Sequence, residues 1–153
     1  MRLAIRPATR ADLPAVVAMI ALETIPEGRE IVSDPVDPSY LAAFDAIDAD
    51  PNQILAVGEL DGEVVATLQL SFIPGLAFRG GWRGHIESVR VAPHLRNQGL
   101  GAELVAWAVE EARARGCHMV QLMSSRSRTD SHRFYERLGW AKSHYGFKLK
   151  LGS

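Results

Sequence analysis

The clearest candidate for chemistry is a glycine-bearing turn between a predicted strand and a predicted helix. Its sequence is Ala92-Pro93-His94-Leu95-Arg96-Asn97-Gln98-Gly99-Leu100-Gly101. Such a turn exposes consecutive backbone N–H groups at the positive end of a helix dipole, and these groups bind phosphate oxygens. Arg96 adds a guanidinium for charge-assisted hydrogen bonds to the same anion. We therefore expect an anion site here, although Gly99 and Gly101 taken alone are also typical of packing and capping.

Hydrophobic periodicity and turn signals predict the elements that position this turn. The predicted strands are residues 3–6, 53–60, 63–72, 85–91 and 117–123, with one or two terminal strands within 140–149. The predicted helices are residues 13–23, 40–47, 100–115 and 130–138. Thr9 and Asp12 form a Thr-x-x-Asp cap before the first helix, and Asp61-Gly62 indicates a hairpin. Residues 26–38 and 74–84, rich in proline or glycine, are predicted loops.

The order of these elements predicts an α/β (α+β mixed) fold. A hairpin group followed by strand–helix–strand units indicates a mixed, mostly antiparallel sheet of six to seven strands, flanked by about four helices on its two faces. The 153 residues, 47% of them hydrophobic, suffice for one core, and no repeat divides them. We therefore expect a single domain over residues 1–153.

Two segments together resemble the GNAT superfamily of N-acetyltransferases. Val89-x-Val91-x-Pro93-x-x-Arg96-x-x-Gly99-x-Gly101 resembles its acetyl-CoA-binding motif, and residues 132–140, His-Arg-Phe-Tyr-Glu-Arg-Leu-Gly-Trp, resemble its second signature. Residues 84–87 are similar to the glucosamine-phosphate acetyltransferases. Residues 128–134 and 143–147 are similar to the aminoalkylphosphonate acetyltransferases. The resemblance covers essentially the whole chain.

The resemblance implies acetyl-CoA as the cosubstrate. The turn would hold the coenzyme pyrophosphate, and the preceding strand would offer main-chain groups to the acetyl carbonyl and the pantetheine arm. The implied cofactor-binding residues are Val89, Arg90, Val91, Arg96, Asn97, Gln98, Gly99, Leu100, Gly101 and Ser124. The resemblance also implies that the fourth strand carries a bulge. Arg128 stands where many members have Asn, so Ser124 or Ser125 would replace that contact.

Two further side chains fit acetyl transfer to an amine. An alkylamine is mostly protonated at neutral pH, so a base must remove its proton directly or through water. Glu87 is the candidate base, because strict alternation places it on one strand face with Val89. Tyr135 is the candidate acid for the departing thiolate, because a phenol stays protonated at neutral pH. The structural alternatives are a salt-bridged carboxylate and a tyrosine in a helix core.

Composition argues against several other classes. The 17 Lys and Arg residues balance 18 Asp and Glu residues, so no global field favours nucleic acid or an anionic membrane. The longest apolar run, residues 13–22, is too short to span a bilayer. The single cysteine, Cys117, cannot form an internal disulfide, which favours a cytoplasmic location. The five histidines lack a ligand signature such as His-Glu-x-x-His, so we expect no metal.

The combined interpretation is an acyltransferase, an acetyl-CoA-dependent N-acetyltransferase that acts on the primary amine of a small molecule by direct attack in a ternary complex. The alternatives are a protein or peptide N-acetyltransferase and a non-catalytic acyl-CoA-binding regulator. Positive charge in the last third of the chain favours an acceptor that carries a phosphonate, phosphate or carboxylate. The residues concerned are Arg126, Arg128, Arg133 and His144. A homodimer is compatible with the resemblance.

Overall fold

The structure is a computed structural model that describes residues 2–24 and 27–152. The chain forms two compact units, the first ending at Gln121 and the second beginning at Leu122. The single domain over residues 1–153 stays a prediction. Position 26, where the predicted 26–38 loop begins, lies outside the described residues.

The described residues contain five strands and five helices. The strands are β1 (Ala4–Pro7), β2 (Gln53–Leu60), β3 (Glu63–Pro74), β4 (Trp82–Val91) and β5 (Met119–Leu122). The helices are α1 (Leu13–Leu22), α2 (Pro38–Ala49), α3 (Ala77–Gly80), α4 (Leu100–Ala114) and α5 (Thr129–Arg137). α5 belongs to the second unit. None of the helices in the described ranges combines the length and apolar character that crossing a membrane requires.

The strands form one sheet in chain order, and the three neighbouring pairs from β1 to β4 are antiparallel. Asp61 and Gly62 join β2 to β3 with φ angles of 52° and 81°, the left-handed conformations that a tight two-residue hairpin turn needs. The predicted hairpin is therefore confirmed. The predicted end of α4 is confirmed as well, because Gly116 has a φ of 79° and the N–H of Cys117 bonds to the carbonyl of Ala112.

Helices cover both faces of the sheet. Val57 of β2 packs in one core cluster with residues of α1 and α2: Leu13, Val16 and Phe44. Val57 pairs with Thr67, and Leu70 lies three residues farther along β3, so its side chain is on the opposite face. On that face a Cβ at Gly84 would lie 3.6 Å from Leu70 and 3.1 Å from Ala112 of α4. This close approach of α4 to the sheet favours glycine at position 84, because a larger residue would press on Ala112.

The predicted number of strands is wrong, because the terminal strands are not formed. Residues 140–152 contain neither strand nor helix. Tyr145, Phe147 and Leu149 do alternate with other residues, but their side chains are 86–95% exposed. Alternation of apolar and polar residues shows only that an extended segment would have one apolar face and one polar face. A strand also needs a neighbouring strand to accept and donate its backbone hydrogen bonds. The mixed fold is confirmed with five strands in place of six to seven.

The predicted long turn over residues 74–84 is largely regular structure. β3 continues to Pro74, and β4 begins opposite it at Trp82. Between them lies α3, which raises the number of helices from the expected four to five. Phe78 and Arg79 within this short helix have left-handed φ angles of 56° and 59°. The glycines of this region predicted a loop, whereas cross-strand pairing extends both strands.

A half-buried ion pair fixes the chain where β1 passes to α1. Arg6 Nη1 and Nη2 donate to Asp12 Oδ2 and Oδ1 at 2.7 and 3.0 Å. The backbone N–H of Thr9 donates to Asp12 Oδ2 at 2.7 Å, which confirms the predicted cap. These bonds, above all those from Arg6, lower the pKa of Asp12 to about 2. Arg6 also pairs with Glu59 of β2 at 2.6 Å, so the sheet and the start of α1 are tied together.

Candidate functional site

A bulge in β4 lies directly beside the candidate base. Between two cross-strand pairs β3 advances by two residues, while β4 advances by three, from Glu87 to Arg90. The extra residue falls at Ser88 and Val89, and Ser88 has a left-handed φ of 55°. The bulge that the family resemblance implied is therefore confirmed by the register of the sheet.

The bulge overturns the predicted arrangement of side chains on β4. Strict alternation placed Val89 on the face of Glu87 and Arg90 on the other face. Glu87 and Arg90 pair with residues that stand two apart on β3, and they therefore share a face. The prediction was wrong because one extra residue shifts the alternation by one position. Glu87 is exposed, whereas the Arg90 side chain is only 13% exposed.

The turn from β4 to α4 has the backbone conformation that the predicted anion site requires. Asn97 and Gly99 adopt left-handed φ angles of 62° and 82°. Gly99 is the N-cap of α4, and no side chain among the described residues caps this helix end. The first N–H groups of α4 are thus left for another partner. A Cβ built on Gly99 meets nothing within 4 Å, so the turn combines an uncapped helix N-terminus with open space.

The N-terminal segment holds this turn in place. Arg2 Nη2 donates to the backbone carbonyl of Gln98. Glu103, in the first turn of α4, accepts hydrogen bonds from the backbone N–H groups of Arg2 and Leu3 at 2.6 and 3.1 Å. Burial raises the pKa of Glu103, but these N–H groups outweigh it and leave the pKa below its usual range. Sequence reasoning missed these contacts, since an acidic residue there indicates only a partner for the helix dipole.

Two arginines near the turn converge on one carboxylate. Glu23, directly after α1, has Oε1 at 2.5 Å from Arg96 Nη2 and Oε2 at 3.9 Å from Arg90 Nε. Arg90 Nη1 also donates to the carbonyl of Val89 at 3.0 Å. Arg96, the predicted pyrophosphate clamp, is thus engaged by a carboxylate of the protein. Sequence reasoning placed Glu23 only at a helix end, because its partners lie about seventy residues farther along the chain.

The described part of the loop between α1 and α2 is tied down by a tyrosine. Tyr40 OH donates to Glu30 Oε1 at 2.9 Å and accepts from the backbone N–H of Ile31 at 2.8 Å. Burial raises the pKa of Tyr40. The Arg29 guanidinium, bonded to Glu30 at 2.7 Å, lowers the pKa of Glu30, and the charge of Arg90 adds to this effect. The loop therefore brings a second carboxylate toward β4.

Polar side chains continue the face of the candidate base across the sheet. Gln53 Oε1 accepts hydrogen bonds from Ser71 Oγ at 2.7 Å and from Gln69 Nε2 at 3.2 Å. His85 Nδ1 lies 3.4 Å from Gln121 Nε2. Ser71 is buried, so its hydroxyl requires such a partner. The sequence analysis missed this network, whose only signal is glutamine at inward positions of otherwise apolar strands.

In the second unit, Tyr135 lies on α5 between two aromatic rings. Its ring centroid is 5.0 Å from that of Phe134 and 5.8 Å from that of Trp140, with interplanar angles of 74° and 63°. Such edge-to-face contacts are favourable and restrict the ring. The backbone N–H of Trp140 also donates to the backbone carbonyl of Tyr135 at 3.0 Å. The role of Tyr135 as an acid, and its action together with Glu87, stay predictions.

Ser124, in the segment after β5, has an orphaned hydroxyl. Its Oγ is buried and has no hydrogen-bond partner within the part of the chain that the structure describes. Buried hydroxyl groups normally have such a partner. The replacement of the family Asn contact by Ser124 or Ser125 stays a prediction. Arg128 itself is the N-cap of α5, and its carbonyl accepts from the N–H of His132 at 3.2 Å.

Several other polar residues have local partners. Arg133 pairs with Asp130 at 2.8 Å, which compensates part of the positive charge of the last third of the chain. His144 Nδ1 lies 2.7 Å from Ser143 Oγ. Burial raises the pKa of the Cys117 thiol, which does not suit a nucleophile. In residues 2–24 and 27–152, no three His, Cys, Asp or Glu side chains gather into a metal-binding group.

The chain is similar in sequence and in structure to known acetyltransferases and to one solved transcriptional regulator. Residues 16–140 match the Acetyltransferase (GNAT) family. The aminoalkylphosphonate N-acetyltransferase of Salmonella typhimurium is 34% identical over 148 residues, which cover 96% of this chain and 90% of that protein. The glucosamine 6-phosphate N-acetyltransferase of Trypanosoma brucei brucei is 37% identical over 90 residues, 59% of either chain. A crystal structure of a transcriptional regulator from Bacillus halodurans C-125 has a TM-score of 0.94 at 42% identity, covering 97% of this chain and 99% of that one.

Proposed function

The chain belongs to the Acetyltransferase (GNAT) family of acyltransferases, whose cosubstrate is acetyl-CoA, and we propose that it acetylates the primary amine of a small molecule by direct attack in a ternary complex. One observation carries this proposal. A bulged strand that presents Glu87 runs directly into the uncapped, left-handed turn at Gly99. A carboxylate and an uncapped helix N-terminus thus lie on consecutive parts of one strand–turn–helix unit.

The residues present fit coenzyme A. The backbone N–H groups of residues 97–101 and the Arg96 guanidinium would hold the pyrophosphate, because a phosphate can enter the open side of Gly99 and meet the helix dipole. Main-chain groups at Val89 and Val91 would take the acetyl and pantetheine parts. The orphaned Ser124 hydroxyl supplies a further donor. When bound, acetyl-CoA supplies an activated acetyl thioester.

Glu87 and Tyr135 divide the proton chemistry in this proposal. Glu87 is exposed on β4 and accepts a proton from the ammonium of the acceptor, which must be neutral to attack. Tyr135, with its ring held by two aromatic neighbours, donates a proton toward the leaving sulfur. The presence of both Glu87 and Tyr135 supports a catalytic protein over a non-catalytic acyl-CoA-binding regulator.

The acceptor that we propose carries a phosphonate, a phosphate or a carboxylate beside its amine. The two relatives named above act on an aminoalkylphosphonate and on glucosamine 6-phosphate, each an amine with an anionic group. In this chain Arg126 and Arg128 are the candidate partners of that group. A protein or peptide acceptor remains the second candidate. A cytoplasmic location belongs to the same proposal, as does a homodimer.

The decisive experiment measures thiol release from acetyl-CoA with a panel of acceptors. The panel contains aminoalkylphosphonates, glucosamine 6-phosphate, amino acids, spermidine, an aminoglycoside and a lysine-containing peptide. We expect the small anionic amines to give the highest kcat/KM. Fastest turnover of the polyamine, the aminoglycoside or the peptide would overturn the acceptor class. No thiol release with any amine, despite binding of acetyl-CoA, would favour the regulator.

A single variant locates the anionic group of the acceptor. Arg128→Ala should raise the KM of the acceptor roughly 10-fold to 100-fold, because charge-assisted hydrogen bonds contribute about 1.5–3 kcal/mol. The KM of acetyl-CoA should change less. Arg137→Ala, which removes an exposed arginine from the same helix, is the matched control. An increase confined to the KM of acetyl-CoA would reassign Arg128 to the coenzyme.

A further inference from the structure

The Glu23 carboxylate stands at a place that its own helix does not favour. It directly follows Leu22, the last residue of α1, and a helix C-terminus carries partial negative charge. A carboxylate there is stabilised only if positive charge from elsewhere meets it. Arg96 and Arg90 provide that charge, one facing each carboxylate oxygen. The position of Glu23 is therefore explained by the two arginines.

The two arginines differ in the strength of their hold. Arg96 Nη2 is 2.5 Å from Glu23 Oε1, which makes this the closer of the two ion pairs. Arg90 Nε is 3.9 Å from Oε2, so this ion pair is the looser one. The Arg96 side chain is 42% exposed, whereas that of Arg90 is 13% exposed and bonded to the Val89 carbonyl. Arg96 can therefore change partner, and Arg90 is held to β4.

The partner that Glu23 now gives Arg96 has the same chemistry as the ligand expected there. Carboxylate and phosphate oxygens bind the guanidinium fork in the same way. A pyrophosphate in the turn and the carboxylate on Arg96 would bring like charges close together, which costs free energy at partly buried sites. The two anions therefore compete for Arg96.

We propose that Glu23 is a positioning residue that lowers the affinity for acetyl-CoA through Arg96. In the coenzyme-free protein Glu23 neutralises Arg96. When the pyrophosphate binds, Arg96 turns to it and the Glu23 carboxylate stays with Arg90. Separating Arg96 from Glu23 costs free energy. The protein therefore binds acetyl-CoA and the released coenzyme A more weakly than the same turn would without the Glu23 carboxylate. This inference rests on the proposed function, because it takes the turn at residues 96–101 as the pyrophosphate site.

A double-mutant cycle followed by calorimetry with acetyl-CoA tests the exchange. Glu23→Gln removes the charge and keeps the size of the side chain, and we expect it to lower the Kd for acetyl-CoA about threefold to tenfold. Arg96→Ala should raise the Kd. In the Arg96→Ala background, Glu23→Gln should change the Kd less than twofold, because its effect requires Arg96. Glu27→Gln, which removes an exposed charge from the same loop, is the matched control.

Kinetics with a truncated donor provide a readout that a merely structural role would not change. S-Acetylpantetheine carries the thioester and lacks the pyrophosphate. Glu23→Gln should lower the KM of acetyl-CoA and leave the KM of S-acetylpantetheine within twofold of the wild-type value. Equal changes for both donors would place Glu23 at the acetyl or acceptor end and overturn the proposal.

The outcomes separate this inference from the proposed function. An unchanged or higher Kd for Glu23→Gln, or an equal decrease with and without Arg96, overturns the exchange while the acetyl-CoA site stands. If the wild-type protein does not bind acetyl-CoA, the proposed function fails and the inference fails with it. If it binds but Arg96→Ala has no effect, the assignment of the turn is wrong.

Discussion

The two compact units hold their candidate residues in different ways. In the first unit, buried side chains surround the elements that carry the site, and Leu100, at the start of α4, is only 1% exposed. In the second unit, none of the described residues 122–152 is buried. Tyr135 is held there by aromatic contacts and by the hydrogen bonds of α5. The recorded contacts of Tyr135 are thus with residues close to it in the chain, whereas a buried core supports the candidate residues of the first unit.

The two units differ in what holds the backbone of their candidate site residues. Pairing with β3 fixes the bulge at Ser88, and the bond from Arg2 to the Gln98 carbonyl holds the turn at Gly99. Tyr135 lies on a nine-residue helix and is partly buried. Variants at Glu87 and Gly99 therefore test the chemistry of residues on a backbone fixed by these contacts. A variant at Tyr135 tests the hydroxyl of a residue whose ring contacts Phe134 and Trp140.

The largest effect is expected from removal of the base in the first unit. Glu87→Gln should lower kcat/KM by roughly 100-fold to 1000-fold at neutral pH, the usual contribution of a positioned base. Its activity should recover toward the wild-type value as the pH approaches the pKa of the amine, about 10, because the acceptor then loses its proton to solvent. Rate profiles against pH with Glu63→Gln as an exposed control measure this. Parallel profiles would remove Glu87 as base.

The next effect tests the acid of the second unit. Tyr135→Phe keeps both aromatic contacts and removes the hydroxyl, so kcat should fall by roughly 100-fold with little change in acetyl-CoA affinity. The control is Tyr145→Phe, which removes a hydroxyl from a side chain that is 89% exposed. Wild-type turnover by Tyr135→Phe would return this residue to a packing role and confine the chemistry to the first unit.

A smaller effect is expected at the turn. Gly99→Asp places a side chain in a left-handed conformation and a negative charge in the anion site, so the Kd for acetyl-CoA should rise by roughly 30-fold or more. Gly116→Asp is the matched control, because Gly116 also has a positive φ, 79°, and open space, at the other end of α4. Calorimetry on the folded variants should show weakened binding for Gly99→Asp alone. Similar affinities for both would contradict the phosphate assignment.

The smallest effect concerns stability of the first unit. Asp12→Asn should destabilise the protein by about 1–3 kcal/mol, because it breaks charge-assisted bonds from Arg6. Since folding lowers the pKa of Asp12 from 3.8 to about 2, its contribution is full above pH 4 and is lost as the pH falls toward 2. Urea unfolding across this range should show the difference from wild type shrinking. Asp45→Asn, at an exposed ion pair with Arg10, should show little change.

The sequence by itself determined the features that depend on local chemistry. The Asp61-Gly62 hairpin, the Thr9–Asp12 cap and the glycine end of α4 require residue types at fixed spacing, and the structure has all three. The turn motif also lies between a strand and a helix, as predicted, with Gly99 in the left-handed conformation that favours glycine. Local backbone geometry is set by a few consecutive residues, so a single sequence suffices for it.

Only the tertiary structure decided the features that depend on distant partners. The bulge moved Arg90 to the face of Glu87, because sheet register is fixed by the neighbouring strand and by no residue of β4 alone. The terminal segment alternates without forming a strand, since strand formation requires a partner edge. Glu23 meets Arg96 although seventy-two residues lie between them. Contacts of this kind form only when the sheet and its helices pack. Composition and periodicity therefore do not predict them.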